Sequence, residues 1–256
     1  MTLYCKHLLI ALTALAWASS ASGQNFVIEN VTVIDGTGAA PMATASVVVK
    51  DGRIAQIGAG KPDAPRGAKR IDGTGKYLIP GLIDVHTHVP RAAANAPKNA
   101  ADPGLTSLHS FLYSGVTTVF DAGNNADYIM KLRADERAGK LLSPRLFAAA
   151  AVITYPKSWS AGPNSILVDA WPEDQAAVDA NLARKPDLQK ITYENFGAGA
   201  NAWVPSFSPE LVTQVMTHVL ARGIQPVVHV SDEAHARDVI AAGVTRLAHP
   251  VTISKM

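Results

Sequence analysis

The sequence predicts an α/β fold: an incomplete (β/α)8, TIM-like barrel of about six strands, preceded by a small antiparallel β module. Three observations carry that expectation. Residues are 48% hydrophobic but only 6% aromatic, so Ala, Val, Ile and Leu dominate the apolar set, as buried parallel strands and their covering helices require. Residues 26–34 alternate apolar and polar side chains, the mark of a half-buried strand. Beyond Tyr77 short apolar runs alternate with helical stretches, which implies a parallel sheet.

The first 23 residues form a separate segment. Lys6 supplies a positive start, an apolar run covers residues 8–18, and small residues follow to Gly23. This is the pattern of a secretory signal peptide cut after Gly23 or Ala21, with a secreted or periplasmic product. A retained anchor helix is the alternative, but the run is about half the ~20 residues a span needs. The one cysteine, Cys5, lies in this segment, so a mature chain carries neither disulfides nor thiolate chemistry.

Residues 24–75 read as the β module. FVIENVTVI from Phe26 and ASVVVK from Ala45 are strands, and Asp51-Gly52 is a hairpin turn leading into RIAQI from Arg53. A Pro/Gly-rich link follows over residues 58–67. Residues 76–256 then hold six strand candidates: 82–85, 117–121, 145–150, 188–193, 226–230 and 246–248. Eight would close a barrel; six also suit an open doubly wound sheet. The spacing places a helix after Ser208-Pro209-Glu210, with Leu211, Val215 and Val219 on its buried face. A second runs from a Ser231 cap to Gly243. Net charge is +2 with no basic cluster, which excludes a nucleic-acid surface.

His86 and His88 stand at i and i+2 on a strand, so both imidazoles project from one face and can reach one ion. His229 and His249 each end an apolar run, with one helix between them. Parallel strands with a short crossover put both on the same rim. Each alone is equally a strand cap or a core histidine. Lys190 lies inside an apolar strand, costly unless neutralised or paired; a snorkelling lysine or a pair with Asp187 or Glu194 is open. His109, His218 and His235 read as helix-surface residues. Asp84 reads as structural and Asp121 as a support at the rim.

The run YLIPGLIDVHTH from Tyr77 to His88, with the PVVH and RLAH strand ends, resembles the amidohydrolase superfamily, in its imidazolonepropionase-like and prolidase-like branch. The likeness covers residues 26–252. It implies a metal-dependent hydrolase that cleaves an amide, cyclic amide or dipeptide C–N bond in a small-molecule substrate. His86, His88, Lys190, His229 and His249 would be the metal ligands. Lys190 would be carboxylated to bridge two ions, with Glu194 the alternative ligand. Mostly imidazole ligands suit one or two Zn2+ ions. The family's catalytic aspartate ends an eighth strand, which would lie beyond Met256. The expectation is therefore a C-terminally truncated member with no catalytic base nominated here. A catalytically inactive metal-binding fragment is the alternative, and an exported small-ligand binder a third. No nucleic acid is expected as a partner, and no membrane once the signal is cut.

Overall fold

A computed structural model describes residues 25–60, 62–93, 97, 101–198 and 201–253. Residues 1–24, on which the signal-peptide reading and Cys5 fall, and part of the Ala/Asn/Pro-rich stretch after Arg91 lie outside these residues. The chain divides into two compact units between Pro80 and Gly81. No described helix is long and apolar enough to cross a membrane.

The first unit is one five-stranded sheet. Strands β1 (Phe26–Val33), β2 (Met42–Lys50) and β3 (Arg53–Ala59) form an antiparallel meander. Asp51 and Gly52, both at positive φ (52° and 73°), make the turn between β2 and β3, as right-handed strand twist favours. Two short strands, β4 (Lys69–Asp72) and β5 (Tyr77–Leu78), pair parallel with β1. They carried no sequence signal because β4, KRID, is exposed at all four residues and shows no apolar alternation. Val31, Val33, Ala45 and Val47 form this unit's core.

The second unit alternates strand and helix. Strand β6 (Leu82–Thr87) is followed by α1 (Pro103–Tyr113), β7 (Val116–Asp121), α2 (Ala126–Arg137) and β8 (Arg145–Ala148). These strands form a parallel sheet in the order β6-β7-β8. Strands β9 (Val152–Thr154), β10 (Ser165–Leu167), β11 (Gln189–Thr192) and β14 (Pro226–His229) make a second parallel sheet, β10-β9-β11-β14. Helix α3 (Gln175–Leu182) precedes β11. The hairpin β12 (Phe196–Ala198) and β13 (Asn201–Trp203) and helix α4 (Pro209–Ala221) follow it, and α5 (Glu233–Ala241) follows β14. The result is an open arc of barrel strands. Among the described residues β6 pairs on one side only, and its Leu82, Ile83 and Val85 are exposed.

The third barrel strand breaks between β8 and β9, where Ala150 takes φ 57°. Side chains stitch this seam. Asp187 donates its N–H to Ala148 O and accepts from Ala148 N, while the Asn181 and Gln189 amides bond Ala151 and each other. Across the outer layer, Val212, Val215, Met216 and Val219 of α4 pack on Ile153, Ile191 and Val228.

Three local expectations change. Residues 246–248 contribute one parallel bridge, Val228 to Leu247, rather than a strand. The last helix is capped by Asp232, whose side chain accepts from His235 N at 3.0 Å, and not by Ser231. In α4 the fully buried face is Val212, Val215, Met216 and Val219, with Leu211 at its margin.

Gly81 opens β6. A Cβ there would lie 2.7 Å from Thr117 Cβ and 2.1 Å from its Oγ1, and no rotamer moves Thr117 Cβ. Gly81→Ala is therefore expected to destabilise the chain by about 1–3 kcal/mol. Denaturant melts of this variant and of Gly81→Ala with Thr117→Gly should show the second change recovering part of the loss; no recovery would place the strain elsewhere.

Candidate metal centre

The parallel strands aim a set of side chains at one cavity of about 880 Å3. β6 carries His86 near its end, and His88 follows two residues on. Lys190 comes from the middle of β11 and His229 is the last residue of β14. His249 follows the bridge at Leu247. All five line the cavity. The His86 ring centroid lies 5.5 Å from that of His88 and 4.5 Å from that of His249, and His229 lies 4.3 Å from His249. Lys190 Nζ is 3.2 Å from His86 Nε2.

Main-chain carbonyls orient two of the rings. His86 Nδ1 meets Ala248 O at 3.3 Å and His88 Nδ1 meets Gly123 O at 2.9 Å. A carbonyl only accepts, so in the neutral rings Nδ1–H donates and Nε2 keeps its lone pair. His229 Nδ1 is buried without a hydrogen-bond partner. Burial, then the neighbouring Lys190 charge, lowers His86 to about 4. Burial, then His249, lowers His229 to about 3. Burial and Lys190 lower His249 as well. The imidazoles of His86, His229 and His249 are thus neutral at physiological pH, the form that donates a lone pair to a cation. Burial alone lowers Lys190 to about 8.

Among the described residues, no three His, Cys, Asp or Glu side chains already stand in coordination geometry; His86 Nε2 is instead engaged by Lys190. The donor set itself fits a borderline cation such as zinc: neutral imidazoles, one of them with an orphaned buried nitrogen, beside a buried amine.

Supporting contacts are dense around His88. Asp121, fully buried at the end of β7, accepts from Val89 N (2.7 Å), Gly123 N (3.0 Å) and Asn124 Nδ2 (2.9 Å). Burial pushes its carboxyl up despite those bonds. Asp84 accepts from His86 N at 3.0 Å, a structural contact as the sequence suggested.

Neither acid considered as a partner for Lys190 holds it. Asp187 pairs with Arg133 at 2.8 Å. Glu194 is 2% exposed, accepts from Phe196 N through Oε1, and leaves Oε2 buried without a partner; it is not among the cavity's lining residues. No Asp or Glu is among the described lining residues. His218 pairs with Asp179 and His235 with Asp232, while His109 is exposed on α1.

Sequence reasoning missed the opposite wall. Residues 155–164, between β9 and β10, bring Trp159 over His229, with ring centroids 4.8 Å apart. Asn124, Ser160 and Asn164 line the same wall region of the cavity. The segment WSAGPN from Trp159 has no periodicity, so only the isolated tryptophan beside a serine-rich turn could have drawn notice.

Comparison with known proteins gives a consistent picture. The sequence model of the Amidohydrolase family matches residues 77–255. A D-hydantoinase of Rhizobium radiobacter is 38% identical over 97 residues, 38% of this chain and 20% of the relative. An imidazolonepropionase of Cupriavidus necator is 43% identical over 74 residues, 28% of this chain and 18% of the relative. The crystal structure of a Xaa-Pro dipeptidase with methionine bound in its active site superposes with a TM-score of 0.69 at 24% identity. That superposition covers 87% of this chain and 61% of the other. The chain thus spans about three-fifths of that structure's length and matches smaller parts of the two sequence relatives.

Proposed function

The chain belongs to the amidohydrolase family, and from that premise we propose that it serves an exported, metal-dependent hydrolase of C–N bonds in small molecules. Cyclic amides of the hydantoin or imidazolone type and Xaa-Pro dipeptides are the candidate substrates, by likeness to the relatives above. Support comes above all from the convergence of His86, His88, Lys190, His229 and His249 on one cavity. These five residues would hold one or two Zn2+ ions. Bound there, zinc supplies a nucleophilic water near neutral pH and Lewis-acid polarisation of the scissile carbonyl.

The chain's own groups do the rest of the positioning. His86 and His88, each tied to a carbonyl through Nδ1, present Nε2 in fixed directions. Lys190, lowered to about 8 by burial, has a larger neutral-amine fraction at neutral pH than an ordinary lysine. That amine can attack CO2: an N–C bond forms, one proton leaves to solvent, and an anionic carbamate results. The carbamate would replace an ammonium beside three neutral imidazoles with an anionic oxygen donor. Glu194, off the cavity, is a weaker candidate for that place.

The test is chelation. Full-length protein should contain zinc and release a carboxylate from a hydantoin, imidazolone or Xaa-Pro panel. Chelator treatment should reduce turnover to background, and Zn2+ should restore it. Turnover unaffected by complete metal removal would contradict metal dependence. Export rests on residues 1–23 alone; periplasmic or culture-medium recovery of a chain starting at Gln24 or Ser22 supports it, and a cytosolic chain with its first residues intact contradicts it.

A further inference from the structure

Beside His229 the cavity is lined by a side chain outside the ligand set. Trp159 is 50% exposed and lines the cavity, with its ring tilted 55° to that of His229 at 4.8 Å. A large aromatic half open to solvent has apolar surface to bury against a ligand. Its segment is nonetheless firmly held. Thr154, fully buried, bonds Ser158 Oγ at 2.5 Å and Ser160 Oγ at 2.8 Å. Ser165 Oγ donates to Ser160 O at 2.7 Å. A buried hydroxyl at Ser158 and a half-buried one at Ser160, on either side of the exposed ring, hold the backbone that carries it before any ligand arrives, so less ordering is left to oppose binding.

The neighbouring polar groups do not offer a countercharge. Asn124 spends its amide on Val89 O and Asp121, and Asn164 Oδ1 accepts from Asn125 at 3.3 Å. Among the described lining residues Lys190 is the one Lys, Arg, Asp or Glu, and it lies against His86. Away from the ion site, a charged group on Trp159 would find no Lys, Arg, Asp or Glu among the described lining residues to pair with. A flat neutral ring needs no such partner to stack on the indole.

We propose that Trp159 determines specificity, and that among the candidate C–N substrates the cavity favours uncharged amides, cyclic ones included, over charged Xaa-Pro dipeptides: the carbonyl faces the histidines and an attached aromatic ring lies on the indole. The inference rests on the C–N hydrolase reading for the direction of the amide, but its test needs no turnover. Binding of benzamide, cyclohexanecarboxamide and acetamide to the full-length, zinc-loaded protein would be measured by calorimetry or ligand-observed NMR. Benzamide should bind most tightly. Trp159→Ala should weaken benzamide about tenfold and acetamide less than about twofold, since stacking is worth roughly one tenfold step. Trp159→Phe should keep benzamide within about threefold, because a ring remains. Undetectable benzamide binding to the unsubstituted protein, or equal losses for all three amides in Trp159→Ala, would overturn the proposal. If these shifts appear but no amide is ever hydrolysed, the subsite stands and the hydrolase reading falls.

Discussion

Lys190→Met is expected to abolish most hydrolysis while leaving the metal-free chain at least as stable as before. Lys190 is 4% exposed in the middle of β11, and burial already lowers it to about 8. Methionine fills a similar volume without a buried charge, and such exchanges are often neutral or stabilising. A carbamate donor cannot form on it. If Lys190 holds the ion as proposed, losing it would remove several kcal/mol of transition-state stabilisation, on the order of 10^3-fold in rate. Metal analysis should show a lower stoichiometry, and thermal melts of the chelated protein should show no loss of midpoint. Unchanged metal content and turnover would remove Lys190 from the ligand set and favour the alternative, Glu194.

The second large effect is expected at Asp121. Asp121→Ala deprives Val89 N–H and Gly123 N–H of their acceptor inside a buried site. Unpaired buried donors cost about 1–3 kcal/mol each, so the loss should reach roughly 3 kcal/mol, a fall in Tm of about 6–12 °C for a chain of this size. The effect should also reach the metal. Gly123 O is the acceptor for His88 Nδ1, and loosening such an orienting group typically weakens metal affinity about 10–100-fold. Zinc titration well below the melting temperature separates the two consequences. A variant that melts early but binds zinc as before would make Asp121 purely structural.

How much of this was readable beforehand follows from how each residue signals. The four cavity histidines were legible because an apolar run that closes on a histidine is a local pattern, and Lys190 because a lysine inside an apolar run stands out. PVVH and RLAH each close an apolar run, and HTH sets two imidazoles on one face. The hairpin at Asp51-Gly52 was legible for the same reason, since its positive φ values are a property of two adjacent residues. Residues 246–248 were misjudged as a strand because an apolar triplet does not reveal how many ladder bonds it makes. Strands β4 and β9 escaped because each owes its pairing to partners distant in sequence: Asp72 to Glu29, and Ile153 to Ile191. Asp121's role was only half visible. Its place at a strand end can be read locally, but its three donors include Val89, which lies 32 residues away. Trp159 stayed hidden because its segment is held by local side-chain hydrogen bonds of Thr154, Ser158 and Ser160 without periodicity, and its contact with His229 lies 70 residues away in sequence.

The seam at Ala150 gives the cavity a thermodynamic character of its own. The β6-β7-β8 sheet supplies His86, whereas the sheet beyond the seam supplies Lys190 and His229. Between β8 and β11 the joint relies on Asp187, Asn181 and Gln189 side chains instead of a continuous ladder. If an ion binds there as proposed, it is gripped from both sides and held only while that joint is shut. Occupancy and closure would then be one equilibrium: a free ion at a hundred times its dissociation constant would add about 2.7 kcal/mol against separation of the two sheets. The ion would act as a rivet as well as a reagent, and starving the protein of zinc would loosen the architecture along the same line that it silences the chemistry.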